Sequence, residues 1–162
     1  RAINAAYIRA LPAEEFRRLA APFIDSAVHC SIDRDLLCAN LQPRCEVLED
    51  IPPQLDFFDA VLPIDAEMYR NKKQKTTPES AKEALTALLP VLEAQTDWTR
   101  DAIFEAFKTL AESMEKKNGW LLFPLGIALS GKSRTPGGGT DLAAMMGKEE
   151  TVKRVKAALE KL

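Results

Sequence analysis

The chain has 162 residues, 46 % of them hydrophobic and 28 % charged, which is the balance of a globular protein with a core of its own. No apolar run approaches the roughly 20 residues of a membrane span, and residues 1–7 do not read as a signal peptide. The net charge of −2 argues against a general DNA or RNA binder.

Arg1 opens the chain with no initiator Met, as in a piece of something longer. Nearly every periodic segment has helical spacing, and none alternates like a strand. From Ala13 to Ile24 one face carries Phe16, Leu19, Ala20, Phe23 and Ile24. Ser31 or Asp33 is placed to cap the next helix. That helix runs towards Leu48, with Leu36, Leu37, Leu41, Cys45 and Leu48 on its apolar side and a kink or break at Pro43. Ile51-Pro-Pro-Gln is a turn and restart, followed by Leu55, Phe57, Phe58 and Val61. Arg70–Lys75 is a short basic link, and it divides the chain into subdomains at 1–70 and 77–162, with 71–76 between them.

Thr77-Pro78-Glu79 starts a helix strongly, with a capping hydroxyl and proline at the first helical position. Ala81, Ala84, Leu85, Leu88 and Leu92 follow, and Pro90 is placed to bend it. Thr96 or Asp97 restarts the chain beside Trp98, with Ile103, Phe104, Phe107, Leu110 and Met114 inward and Asn118-Gly119 as the stop. Thr140 is placed to cap a short helix, Leu142 to Met146, ended by Gly147. Glu149 and Glu150 open a last helix with Val152, Val155, Leu159 and Leu162 inward. The fold class read from this pattern is all-α, about eight to ten helices in two packed subdomains.

Little here performs chemistry. The cysteines Cys30, Cys38 and Cys45 give neither a disulfide framework nor a zinc pattern, and read as buried reduced thiols. Cys38 and Cys45, seven apart, are assigned to one helical face. His29 is the single histidine and reads as a satisfied turn residue. The acid pairs Glu14–Glu15 and Asp33–Asp35 read as solvated surface carboxylates. No catalytic residue and no metal set is assigned. Gly126-Ile-Ala-Leu-Ser-Gly131-Lys132-Ser133 fits the phosphate-loop pattern G-x-x-x-x-G-K-[ST]. Its context argues against a nucleotide site: Pro124 interrupts the feeding segment, and Pro136 with Gly137–Gly139 follows where a helix must start.

Charge is uneven. From Lys116 to Leu162 there are nine Lys/Arg against four Asp/Glu, an excess of five positive charges, and the rest of the chain carries the compensating acids. Such asymmetry suggests an anionic partner for the C-terminal part.

Several fragments, taken in order, resemble the C-terminal anticodon-binding region of bacterial glutamyl-tRNA synthetases. They are Asn4-Ala-Ala-Tyr7-Ile-Arg9, Leu41-Gln-Pro-Arg44 through Leu48 followed by Asp50-Ile-Pro, and Trp98-Thr99 at a helix start. The last is Pro124-Leu-x-x-Ala128-Leu-Ser-Gly131, then Thr135-Pro136-Gly137, then Met146-Gly147-Lys148-Glu149. The resemblance covers nearly the whole chain.

The resemblance implies an α-helical cage that reads the anticodon loop of the glutamate tRNA. It implies a cytoplasmic monomer with no membrane or DNA partner. It also implies no cofactor in this chain, the ATP and magnesium of the parent ligase belonging to an absent catalytic domain. Thr135, Pro136 and Gly137 match family positions that contact anticodon bases. Arg44 matches the position where some members use arginine to read the third base, which suits a guanidinium fork. Pro136 is expected to stack on a base, and Lys132 and Arg134 offer cations beside it. Two positions depart from the family: Gly126 replaces a common arginine and Gly138 a common apolar residue, and Arg134 or Lys132 is the expected substitute. The alternatives are an independent helical protein-interaction module and, remotely, a phosphate-loop nucleotide-binding protein.

Overall fold

The computed structural model describes residues 5–162, so Arg1–Asn4, including the first residue of the Asn4–Arg9 fragment, lie outside the described residues. Eight α-helices and four 3-10 turns make up the described chain. They are α1 Ala5–Ala10, α2 Ala13–Ala27, α3 Arg34–Leu41, α4 Pro78–Ala94, α5 Arg100–Ser113, α6 Asn118–Ser130, α7 Gly139–Met146 and α8 Lys148–Glu160. The 3-10 turns are Gln42–Arg44, Leu48–Asp50, Pro52–Leu55 and Ala66–Tyr69. Among the described residues the sole β pairing is an isolated antiparallel bridge, Asn71 with Thr76.

Local chemistry sets most helix starts. The Asp33 carboxylate accepts from Leu36 N–H and opens α3. Thr77 and Ser80 satisfy each other's backbone N–H in a reciprocal cap, and Pro78 sits at the first position of α4. Thr99 caps α5 through Ala102 N–H, two residues beyond the expected Asp97. Thr140 does not cap α7: the helix starts at Gly139, and the Thr140 hydroxyl is buried without a partner among the described residues. The expected helix to Leu48 stops at Leu41, where Pro43 removes a donor and the chain tightens into the 3-10 turn Gln42–Arg44. Cys38 and Cys45 therefore belong to different elements, and although both are buried, Cys30 is exposed.

The largest correction is α6. Asn118-Gly119 does not end α5, which closes at Ser113 with Glu115 at φ +57°; it opens a helix that runs through Pro124 and Gly126 to Ser130. Trp120, Leu121, Pro124, Leu125, Ile127, Ala128, Leu129 and Ser130 are all buried. A helix apolar all round carries no amphipathic period, because it is surrounded. Here α4, α5, α7 and α8 all pack on it. The core is one cluster of buried side chains, from Ile8 through Phe57 and Tyr69 to Ala158.

The 71–76 stretch is a closed turn. Asn71 and Thr76 exchange both backbone hydrogen bonds, at 3.1 and 3.0 Å. The Asn71 side chain accepts from Gln74 N–H, and the buried Thr76 hydroxyl donates to Tyr69 O at 2.7 Å. Lys75 takes φ +59°, which closes the turn.

Candidate nucleic-acid interface

The expected contact residues concentrate in the segment between α6 and α7. Gly131 ends α6 in the left-handed region, at φ +78°, and its N–H returns to Ile127 O. An added Cβ there would lie 2.4 Å from Leu62 O, so the position excludes side chains on two grounds. The Ser130 hydroxyl accepts from Lys132 N–H, and Ser130 O accepts from Leu62 N–H, which pins the segment to the N-terminal part.

This geometry disposes of the phosphate-loop match. Gly126–Ser130 is the last part of a helix, no strand feeds it, and no helix begins at Lys132. The Lys132 ammonium donates to Pro53 O at 3.1 Å and pairs with Asp56 at 3.0 Å. Lys132 thus holds the segment against the turn Pro52–Leu55, rather than standing as an open cation.

Arg134 is exposed and has no ion pair among the described residues. Thr135 and Gly137 form a tight hairpin: Gly137 N–H donates to Thr135 O at 2.8 Å, and the Thr135 hydroxyl donates to Gly137 O at 2.6 Å. Gly137 sits at φ +129°, and a Cβ would collide with Asp141 at 2.8 Å and approach Asn40 Oδ1 at 3.1 Å. Pro136 is buried, so the expectation that its ring lies open to a base is corrected: the hairpin turns it inward. Arg44 is exposed on the turn Gln42–Arg44, four residues after Asn40. The fold thereby brings Asn40, near the end of α3 and four residues before Arg44, against Gly137 of the hairpin, although the two are far apart in sequence.

A cleft of about 180 Å³ opens beside this hairpin, lined among others by Gln74, Phe123, Gly126, Lys132, Thr135 and Gly138. The two glycine departures both face it. A Cβ on Gly138 would meet nothing within 4 Å, and one on Gly126 only Gly139 N at 3.9 Å.

The charge excess of the C-terminal part is partly consumed inside the molecule. Lys148 donates to Glu93 O and Gln95 O, Lys156 pairs with Glu93, and Arg154 is 3 % exposed. Periodicity cannot distinguish such cations from solvated ones. Elsewhere, His29 Nδ1 meets Asp59 at 2.7 Å, and hydrogen bonding from His29 holds the Asp59 carboxyl down at about 2. Burial raises the Cys30 thiol, which donates to Phe58 O, so no nucleophilic Cys–His pair forms. Among the described residues no group of three His, Cys, Asp or Glu could hold a metal, and no helix is long and apolar enough to cross a membrane. Tyr7 is the one exposed large hydrophobic residue among those described, and a largely apolar cleft of about 340 Å³, lined by Leu62, Ile64, Ala128, Ala158 and Leu162 among others, opens on another part of the surface.

The model of the family described as "Anticodon binding domain" matches residues 8–159. A glutamate–tRNA ligase of Clostridium botulinum (strain Hall) is 42 % identical over 160 residues, covering 99 % of this chain and 33 % of the relative. That of Clostridium tetani is 41 % identical with the same coverage. The chain spans about a third of the length of the curated relatives it matches. Among solved structures, a glutamate tRNA ligase from Elizabethkingia meningosepticum superposes with a TM-score of 0.76 at 24 % identity, over 98 % of this chain and 31 % of that one. At that identity the likeness establishes the fold, an all-α arrangement. The chain belongs to the anticodon binding domain family.

Proposed function

We propose that this chain is the C-terminal, anticodon-reading part of a glutamate–tRNA ligase, and that it takes the anticodon loop of the glutamate tRNA. The observation that carries the reading is the approach of Asn40, four residues before Arg44, to Gly137 of the hairpin, within a chain similar to glutamate–tRNA ligases along 99 % of its length. Sequence-specific reading of RNA targets unstacked single-stranded bases, through side chains and loop backbone that reach their pairing edges.

In this reading Arg44 presents its guanidinium fork to the third anticodon base. Arg134 supplies the open cation at the loop, while Lys132 holds the loop in place. Thr135 and Gly137 contribute backbone groups on a rigid turn, and Pro136 fixes that turn from inside. The parts 1–70 and 77–162 each supply one side of the surface, with 71–76 between them. The parent enzyme attaches glutamate to its tRNA with ATP and magnesium in a catalytic part that this chain does not contain, and this part needs no cofactor. It works as a cytoplasmic monomer.

The test is titration of Arg44→Ala and Arg134→Ala with a labelled glutamate-tRNA anticodon stem-loop. Loss of a good base contact costs about 1–3 kcal/mol, and Arg44→Ala should lose it only against the hairpin with its native third base. Unchanged affinity of Arg44→Ala for every hairpin would remove Arg44 from the reading. Unchanged affinity of Arg134→Ala would remove Arg134.

A further inference from the structure

The turn Asn71–Thr76 has a use that its composition hides. Lys72, Lys73 and Lys75 are exposed, and none has an ion pair among the described residues. Gln74, between them, turns the other way and lines the cleft beside the Thr135–Gly137 hairpin. The turn is rigid: two backbone bonds close it, Asn71 caps Gln74 N–H, and Thr76 is anchored to Tyr69 O.

The Gln74 side chain lies against the start of α6 at the edge of the cleft. A Cβ on Gly119 would fall 1.8 Å from Gln74 Oε1, so the amide occupies the space that Gly119 leaves free. That amide makes no hydrogen bond among the described residues, and it presents one acceptor and two donors. Around it the cleft is lined by Phe123, Thr135 and Ser133. Its floor is open because Gly126 and Gly138 carry no side chains. Packing does not demand glycine at either place, since a Cβ would meet nothing closer than 3.9 Å. By contrast, a Cβ on Gly139 would strike Leu122 O at 2.8 Å. A polar amide and an aromatic side chain lining one open slot suit one unstacked base, and three unpaired ammonium groups on the adjoining turn suit the phosphates that flank it.

Resting on the reading above, we propose that the Asn71–Thr76 turn is an RNA-contacting element, in which Gln74 reads the edge of one anticodon base seated in the Gly126–Gly138 cleft and Lys72, Lys73 and Lys75 hold its phosphates. Gly119 is a positioning residue for Gln74.

The experiment titrates the 162-residue chain with the labelled native hairpin and three hairpins, each changed at one anticodon base, at two salt concentrations. Four variants accompany the parent. Gln74→Ala removes the reader, and Gly119→Ala displaces it. Gly126→Leu fills the cleft. The combined Lys72→Ala, Lys73→Ala, Lys75→Ala variant strips the rim. Melting temperatures close to the parent's establish folding, and Gly126→Leu together with Gln74→Ala keeps the test open should Gly119→Ala disturb α6. The expected result is that Gln74→Ala, Gly119→Ala and Gly126→Leu each weaken the native hairpin by about tenfold and abolish preference at one shared anticodon position. The lysine variant weakens all hairpins alike, with a salt dependence shallower by about 0.7 per lost phosphate contact. Retention by Gln74→Ala of the full parental preference at every position overturns the inference while leaving the anticodon reading intact. A parent chain that itself binds all four hairpins equally overturns both.

Discussion

Arg154 shows how much one buried cation can organise. It is 3 % exposed, and its guanidinium donates to Phe57 O, Phe58 O and Leu129 O at 2.7–2.8 Å, while Nε pairs with Glu150 at 2.7 Å. Burying a charge is costly unless its donors find partners, and here the partners are the Glu150 carboxylate, two carbonyls of the irregular Phe57-Phe58 segment and a carbonyl in the last turn of α6. Arg154 thus ties α8 to Phe57-Phe58 and to the end of α6. Arg154→Met should cost at least about 3 kcal/mol in urea unfolding, because three buried carbonyls lose their donor at about 1–3 kcal/mol each. A loss under about 1 kcal/mol would show that water satisfies them. Arg154→Lys should recover only part of the loss, since an ammonium lacks the planar fork.

Asp59 works at the same scale. Its carboxylate accepts from His29 Nδ1 and from the backbone N–H groups of His29 and Cys30, and sits at about 2 instead of 3.8. A carboxyl with a depressed native value contributes stability that is fully present above its unfolded value and is lost as pH falls through the native one. The parent should therefore lose stability between about pH 4 and pH 2, and Asp59→Asn should flatten that limb in acid titrations followed by circular dichroism. An identical acid limb in parent and variant would place the effect elsewhere.

At the scale of elements, α6 and its exit carry the account. Two of its glycines have opposite roles. Gly131 at φ +78° faces Leu62 O, so Gly131→Ala should destabilise by about 1–3 kcal/mol, the cost of a strained backbone with a clash. Gly126 lies in a helix interior with room for a methyl, so Gly126→Ala should stabilise by about 0.5–1 kcal/mol. Thermal unfolding of both variants decides the matter, and stabilisation by Gly131→Ala or destabilisation by Gly126→Ala would contradict this assignment. Helices with one apolar face were legible in the sequence: α2, α4, α5 and α8 are where the helical period places them, and Thr77 caps α4 as its residue type suggests, whereas α5 is capped by Thr99 and α2 and α8 have no side-chain cap. The α6 helix was not, because Gly119, Pro124 and Gly126 read as breakers and its uniform apolarity erases the period. Tertiary burial overrode propensity there, and the same burial supplies the rigid floor of the cleft.

The site was legible unevenly for the same reason. Arg44, Arg134 and the Thr135–Gly137 hairpin could be named from motif resemblance. The inward turn of Pro136, the tether from Lys132 to Asp56 and the role of Gln74 depend on long-range contacts that no local pattern encodes. Lys132 and Asp56 are 76 residues apart, and Arg154 and Phe57 are 97 apart.

At the scale of the whole molecule, the described helices form one framework whose loops, together with one side of α6, face the proposed ligand. The net charge is −2, and three exposed lysines lie together on the 71–76 turn and Arg134 lies exposed on the hairpin segment, while several C-terminal cations are spent internally. Attraction to phosphate is thus local, and specificity must come from base contacts. The most direct measurement is anisotropy of a labelled glutamate-tRNA anticodon stem-loop titrated with the parent chain at two salt concentrations, beside hairpins with changed anticodon bases. The account predicts tighter binding of the native hairpin by about 1–3 kcal/mol per changed base, a preference that persists as salt rises. Equal binding of all hairpins, seen only at low salt, is the signature of generic phosphate attraction and would contradict anticodon reading by this chain.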